Sequence, residues 1–150
     1  MKLLFVCKFN CFRSLVAKKF FDKLNKNKNI EARASGFIIP RNYSREQQQK
    51  AVEEFGIKLD EEPEIMDENL YKWPDKIVIV GNDVPKEIFD ILDEDNSKMK
   101  KRNVEVWKLN DVGQKDLSYQ EKTRMLTQQI LNSVKSFINE LEKEAKWKNF

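Results

Sequence analysis

The stretch Leu3-Leu4-Phe5-Val6-Cys7-Lys8-Phe9-Asn10-Cys11-Phe12-Arg13-Ser14 decides how the rest of the chain is read. Its apolar opening fits a buried strand that delivers a thiol into a short loop, and the pattern from Leu15 to Phe21 fits a helix beginning near Arg13. The first N–H groups of a helix have no partner within it and attract anions. The nucleophilic form of a cysteine is its thiolate, which the positive end of a helix favours. Arg13 falls where a planar guanidinium can grip two oxygens of a bound phosphate. A loop that turns its N–H groups inward needs a residue with positive φ, and Asn10 tolerates that conformation better than most. Ser14 can donate to the Cys7 sulfur, or it can simply cap the helix. The plainer alternative for Cys7 is a buried strand-end thiol packed as a small hydrophobe.

The 150 residues fit one domain spanning positions 1–150, with 40% hydrophobic and 35% charged residues, as suits a soluble globular chain. A net charge of +3 is too small to imply nucleic acid, and the run Leu3 to Val6 is too short for a signal-peptide core or a membrane span. The expected location is therefore the cytoplasm, with neither nucleic acid nor membrane as partner. Two cysteines four positions apart cannot make a disulfide framework and are too few for a closed zinc site, so no metal and no cofactor are expected. There is no histidine, which excludes Ser-His and Cys-His catalysis and leaves Cys, Asp, Glu, Arg, Lys and Ser.

Strand and helix patterns alternate along the chain. Strands are expected at Lys2 to Val6, Ile30 to Ala34, Ile77 to Val80 and Val104 to Leu109. The first helix should bury Val16, Phe20 and Leu24. Ser44 with Gln47 marks the start of a second helix that Gly56 closes, and a short helical segment is expected at Asp67 to Lys72. Pro85 suits the start of a helix over Lys86 to Leu92. Ser118 with Glu121 caps the last helix, whose stripe Leu126, Ile130, Val134, Phe137 and Leu141 reads as core. Such alternation predicts an α/β fold with a parallel sheet and helices on both faces. Ligands bind such sheets beyond the carboxyl ends of the strands, where Cys7, Asp83 and Asp111 all fall.

Cys-x5-Arg-Ser directly after the first strand, with Asn three residues past the Cys, resembles the phosphate-binding loop of the low-molecular-weight protein tyrosine phosphatases. That family also includes protein arginine phosphatases and thioredoxin-coupled arsenate reductases. Ala32-Arg33-Ala34-Ser35-Gly36, Phe55-Gly56-Ile57 and Trp107-Lys108-Leu109-Asn110-Asp111 are similar to further segments of the family. The resemblance implies strand order 2-1-3-4, a Cys7 nucleophile passing through a phosphocysteine intermediate, and Lys8, Phe9, Asn10, Cys11, Phe12, Arg13 and Ser14 around the bound phosphoryl group. It also implies Asp111 as general acid, in the loop before the last helix. Asp83 is the weaker candidate, because Asn82-Asp83-Val84-Pro85 also reads as a capping turn.

There are three departures from the family pattern: Phe9 stands where Gly is usual, Val112-Gly113 follow Asp111 in place of Pro and an aromatic residue, and Cys11-Phe12 differ from the usual pair. The leading expectation is a cysteine-dependent phosphatase acting on protein phosphotyrosine, with phosphoarginine or a small phosphoester as alternatives. Arsenate reduction is less expected, because Val80-Gly81-Asn82-Asp83 lacks the cysteines that such relatives carry there. A catalytically weak module that binds phosphate-like oxyanions is the third reading.

Overall fold

The structure, a computed structural model, describes residues 1–95, 102–109 and 117–148. Strands β1 (Lys2–Cys7), β2 (Glu31–Gly36), β3 (Lys76–Val80) and β4 (Asn103–Trp107) form one wholly parallel four-stranded sheet in the order β2-β1-β3-β4. The helices are α1 (Arg13–Leu24), α2 (Arg45–Val52), α3 (Glu68–Lys72), α4 (Glu87–Asp95) and α5 (Tyr119–Lys148). Because β1 has β2 on one side and β3 on the other, consecutive crossovers leave it in opposite directions. The crevice this opens beyond the end of β1 is where Cys7 stands.

Each central strand is apolar on both faces, as burial beneath two helical layers requires. Leu3 and Phe5 of β1 with Val78 and Val80 of β3 face α1 and α5, whereas Leu4, Val6, Ile77 and Ile79 pack with Leu70, Tyr71 and Phe89 on the side of α3 and α4. The first layer centres on rings: Phe5 lies 5.6 Å from Trp107 and 5.8 Å from Phe21, and Trp107 lies 5.7 Å from Phe137. A fully buried side chain such as Phe5 contributes roughly 1.5–3 kcal/mol. On α5, Ile130, Val134 and Phe137 are buried and Leu126 and Leu141 pack half-buried beside them, so the expected stripe is core.

The local punctuation follows the side chains. Ser44 Oγ accepts the Gln47 N–H at 3.3 Å, Asp67 Oδ1 accepts that of Leu70 at 2.7 Å, and Ser118 Oγ accepts that of Glu121 at 3.2 Å. Gly56, at φ +71°, ends the turn of 3-10 helix that extends α2. Several boundaries differ from expectation: β2 runs on to Gly36, two residues past Ala34, and β1, β3 and α3 shift by one residue at an end. β4 stops at Trp107 because its partner β3 ends at Val80, opposite it; beyond that point the Leu109 carbonyl accepts the Asn82 side-chain amide. Helix α4 begins at Glu87 because Pro85 and Lys86 first make tighter three-residue bonds, to the N–H groups of Ile88 and Phe89. No helix among the described residues is long and apolar enough to cross a membrane.

A polar clasp closes the α3–α4 side. Tyr71 donates its hydroxyl to Asp93, and Arg102 donates to Asp93 at 2.9 Å and to the Tyr71 carbonyl. Burial, reinforced by the bond to Asp93, pushes the Tyr71 phenol up to about 12, so it keeps its proton. The Arg102 and Asp93 side chains are only 5% and 12% exposed, so removing one charge strands the other. Asp93→Ala is expected to cost about 3–5 kcal/mol in urea unfolding. Tyr71→Phe, which removes one hydrogen bond, is expected to cost about 1 kcal/mol. Equal losses from the two substitutions would contradict this account.

Candidate active site

Cys7 ends β1 opposite Gly36, and its side chain is buried in the turn that follows. The turn reverses at Asn10, which takes the positive φ anticipated for it, +47°. That conformation swings the Asn10 N–H inward, where it donates to Cys7 Sγ at 3.2 Å. The Asn10 side chain is buried too, donating to the carbonyls of Ala34 at 3.3 Å and Glu64 at 3.4 Å. Its own oxygen accepts the Ser14 hydroxyl, and the Cys7 thiol donates to Ser14 Oγ at 3.2 Å. Ser14 is thus bound into the loop from inside and does not cap α1: the capping position is Phe12, which offers no side-chain bond. The first amides of the helix are left facing the loop for an anion to meet.

The loop fits because of Gly36. A Cβ built there would lie 2.5 Å from both the Asn10 nitrogen and the Phe9 carbonyl carbon. Gly36 also ties residues 64–66 to the sheet, its N–H donating to Glu64 at 2.9 Å and its carbonyl accepting from Met66 at 2.7 Å. On the outer side, the Lys8 carbonyl accepts the N–H groups of Phe37 and Ile38 at 2.9 and 3.0 Å. The Lys8 ammonium lies 5.2 Å from the centre of the half-exposed Phe9 ring. Phe12 is buried in the core, so it brings backbone rather than side chain to the loop. Cys11 is half-buried against the same core. Burial, and then the Coulombic influence of neighbouring Cys7, push the Cys11 thiol up.

Two arrangements had no signal in the sequence. Arg45 donates to the Cys11 carbonyl at 2.5 Å, to Gln48 at 2.9 Å and to the Glu61 carbonyl at 3.0 Å, fastening the far side of the loop to α2. Arg13 donates to Asp83 at 2.6 Å. Burial alone would lower the Arg13 pKa, but the bond to Asp83 and the Coulombic influence of neighbouring Cys7 outweigh it and the net shift is upward. The arginine therefore remains a cation facing the thiol. Asp111, the acid implied by resemblance, lies outside the described residues. Leu109 shows that β4 arrives at this edge of the sheet, through its bond from Asn82.

A buried thiol, an inward-turned amide, a relay hydroxyl and an arginine at one helix start are the parts of an oxyanion cradle. The family model for low molecular weight phosphotyrosine protein phosphatases matches residues 2–147. The chain belongs to this family.

Among solved structures, the chain is similar to the YwlE arginine phosphatase from Geobacillus stearothermophilus, at 16% identity and a TM-score of 0.71, covering 95% of this chain and 94% of that one. It is also similar to an arsenate reductase from Archaeoglobus fulgidus, at 24% identity and a TM-score of 0.63, covering 91% and 98%. The tyrosine phosphatase amsI from Erwinia amylovora matches at 16% identity and a TM-score of 0.67, covering 93% and 91%. No curated protein sequence matches. These relatives share the low-molecular-weight phosphatase fold while the activities in their names differ.

The raised Cys11 thiol gives a direct test. Because its pKa is raised, alkylation of Cys11 by iodoacetamide should still be accelerating with pH where an ordinary thiol has begun to level off. A rate that levels off near neutrality would contradict the burial described here.

Proposed function

We propose that this chain is a cysteine-dependent phosphomonoesterase that hydrolyses protein phosphotyrosine, with phosphoarginine as the alternative substrate of the same chemistry. The observation that supports it best is the Cys7 sulfur, which accepts an inward amide at 3.2 Å and lies 3.2 Å from Ser14 Oγ at the uncapped start of α1. In this reading the Cys7 thiolate attacks phosphorus while the Arg13 fork and the loop amides hold the other oxygens. The bond to the leaving oxygen breaks, and Asp111 supplies that oxygen with a proton. Asp111, now a base, takes a proton from water as the water attacks the phosphocysteine. Inorganic phosphate leaves and the thiolate returns, stabilised by Ser14. Lys8, Phe9 and Cys11 flank the entrance, and the backbone of Phe12 contributes to the cradle.

Arsenate reduction is the less supported chemistry, since Cys7 and Cys11 are the chain's two cysteines and β3 leads into Gly81-Asn82-Asp83 with no thiol. A weak oxyanion-binding module would bind phosphate without turnover. The partners of the proposed enzyme are phosphorylated proteins or small phosphoesters, without nucleic acid or membrane. Its compartment is the cytoplasm, where free thiols such as Cys7 and Cys11 stay reduced.

Cys7→Ser is expected to retain vanadate binding while losing turnover, and Arg13→Lys to lose on the order of 10²-fold in kcat/KM, because an ammonium cannot reproduce the planar fork. Near-normal turnover of aryl phosphates by either variant would overturn the assignment. Asp111→Asn should lower phosphotyrosine hydrolysis by about 10²–10⁴-fold but affect a nitrophenyl ester far less, since that leaving group needs little help from a proton. Finding this leaving-group dependence in Asp83→Asn instead would move the acid to the loop after β3.

A further inference from the structure

The loop after β3 is built around the arginine of the phosphate loop. Gly81 leaves the sheet at φ +138°, a conformation that disfavours any side chain, and the space above it is already taken. A Cβ at Gly81 would lie 2.0 Å from Arg13 Nη1 and 3.1 Å from its Cζ, so the guanidinium rests on bare backbone. The next residues are fastened to the neighbouring strand. The Gly81 N–H donates to the Trp107 carbonyl at 3.1 Å, and the Asn82 side chain donates to that of Leu109 at 2.8 Å. Val84 then anchors the loop from below in the core beside α4. Asp83 is carried between these fixed points and accepts from Arg13 Nη2 at 2.6 Å.

We propose that Asp83 is a positioning residue that aims the Arg13 guanidinium into the phosphate loop, with Gly81 as its seat and Asn82 as its tie to β4. The inference rests on the phosphatase reading of Cys7 and Arg13. The two side chains are 22% and 38% exposed, and ion pairs this open add little to stability, so a purely structural role is poorly served by the pair. Orientation is another matter. A guanidinium is flat and rigid, and a carboxylate bound at one Nη fixes the plane in which its remaining donors lie. Those donors are then available for two oxygens of one anion, and the charge needed to bind that anion is kept. Asp83 touches no reacting atom in this scheme and transfers no proton.

The test compares Asp83→Ala, Asp83→Asn and the unaltered protein by calorimetric binding of orthovanadate and inorganic phosphate, by KM and kcat on a nitrophenyl and a poorer aryl phosphate, and by thermal melting. Asp83→Ala is expected to weaken both anions about tenfold and raise KM in parallel, with a smaller change in kcat and little change in melting. Asp83→Asn, whose amide oxygen still accepts from Arg13, should fall between. Unchanged or tighter anion binding in Asp83→Ala overturns the proposal. So does an equal loss of kcat in both variants that grows as the leaving group worsens, because that marks a proton donor. If the unaltered protein binds vanadate without turning over any ester, the phosphatase reading fails while the affinities still decide the role of Asp83. If it binds neither anion, both fail.

Discussion

Everything at this site depends on the bond from the Asn10 N–H to the Cys7 sulfur, which exists only because a non-glycine residue holds φ +47° inside a buried loop. Such a conformation persists when its surroundings over-determine it. Here the Asn10 side chain is tied to the carbonyls of Ala34 and Glu64 while its oxygen takes the Ser14 hydroxyl. Gly36 leaves the room that the reversed backbone occupies. Leaving any of these buried polar groups unpaired costs about 1–3 kcal/mol, so the loop tends to hold as a unit or not at all. The Asn10 amide that meets the sulfur shows the inward direction a phosphoryl oxygen would be met from on the proposed reading.

Around that centre the fold supplies two braces from opposite directions. Arg45 at the start of α2 holds the Cys11 carbonyl, and the loop after β3 holds the Arg13 guanidinium through Asp83. Neither brace belongs to the sheet itself, but both depend on the strand order, which brings the ends of β2, β1, β3 and β4 to one edge. Two consequences follow for chemistry. On the proposed reading, the cation is held by Asp83 before any anion arrives, which would leave little reorganisation for the reaction. Cys11, half-buried against the core with its thiol pushed up, is held by its backbone and is a poorer nucleophile at neutral pH than its place in the loop suggests.

What was legible in the sequence was local. The apolar runs of β1 and β3 gave the strands because both faces are covered, and the stripe on α5 gave the core because its spacing matches the helix. The positive φ of Asn10 was legible from its place in the loop, whereas Ser14 differs from expectation: its hydroxyl donates to the Asn10 oxygen and accepts from the Cys7 thiol instead of donating to it. The pairing of Arg13 with Asp83 spans 70 positions and that of Arg45 with Cys11 spans 34, so both exist only after the chain closes. The capping-turn reading of Asp83 was reasonable for Asn82-Asp83-Val84-Pro85, but it missed what the side chain reaches. The resemblance places Phe12 around the phosphoryl group, and what no local pattern shows is that its apolar ring packs in the core. Phe9 is compatible with the loop because it needs no positive φ, and only its backbone, not its side chain, meets the close approach at Gly36.

The central claim is that the Cys7 sulfur forms the covalent bond to phosphorus. The most direct measurement is acid quenching during turnover of an aryl phosphate, followed by peptide mass mapping of the trapped enzyme. The account predicts one phosphoryl group per chain, carried by Cys7. Turnover with the phosphoryl group on any other residue, or with none trapped while an independent burst of the aryl alcohol is seen, would contradict it.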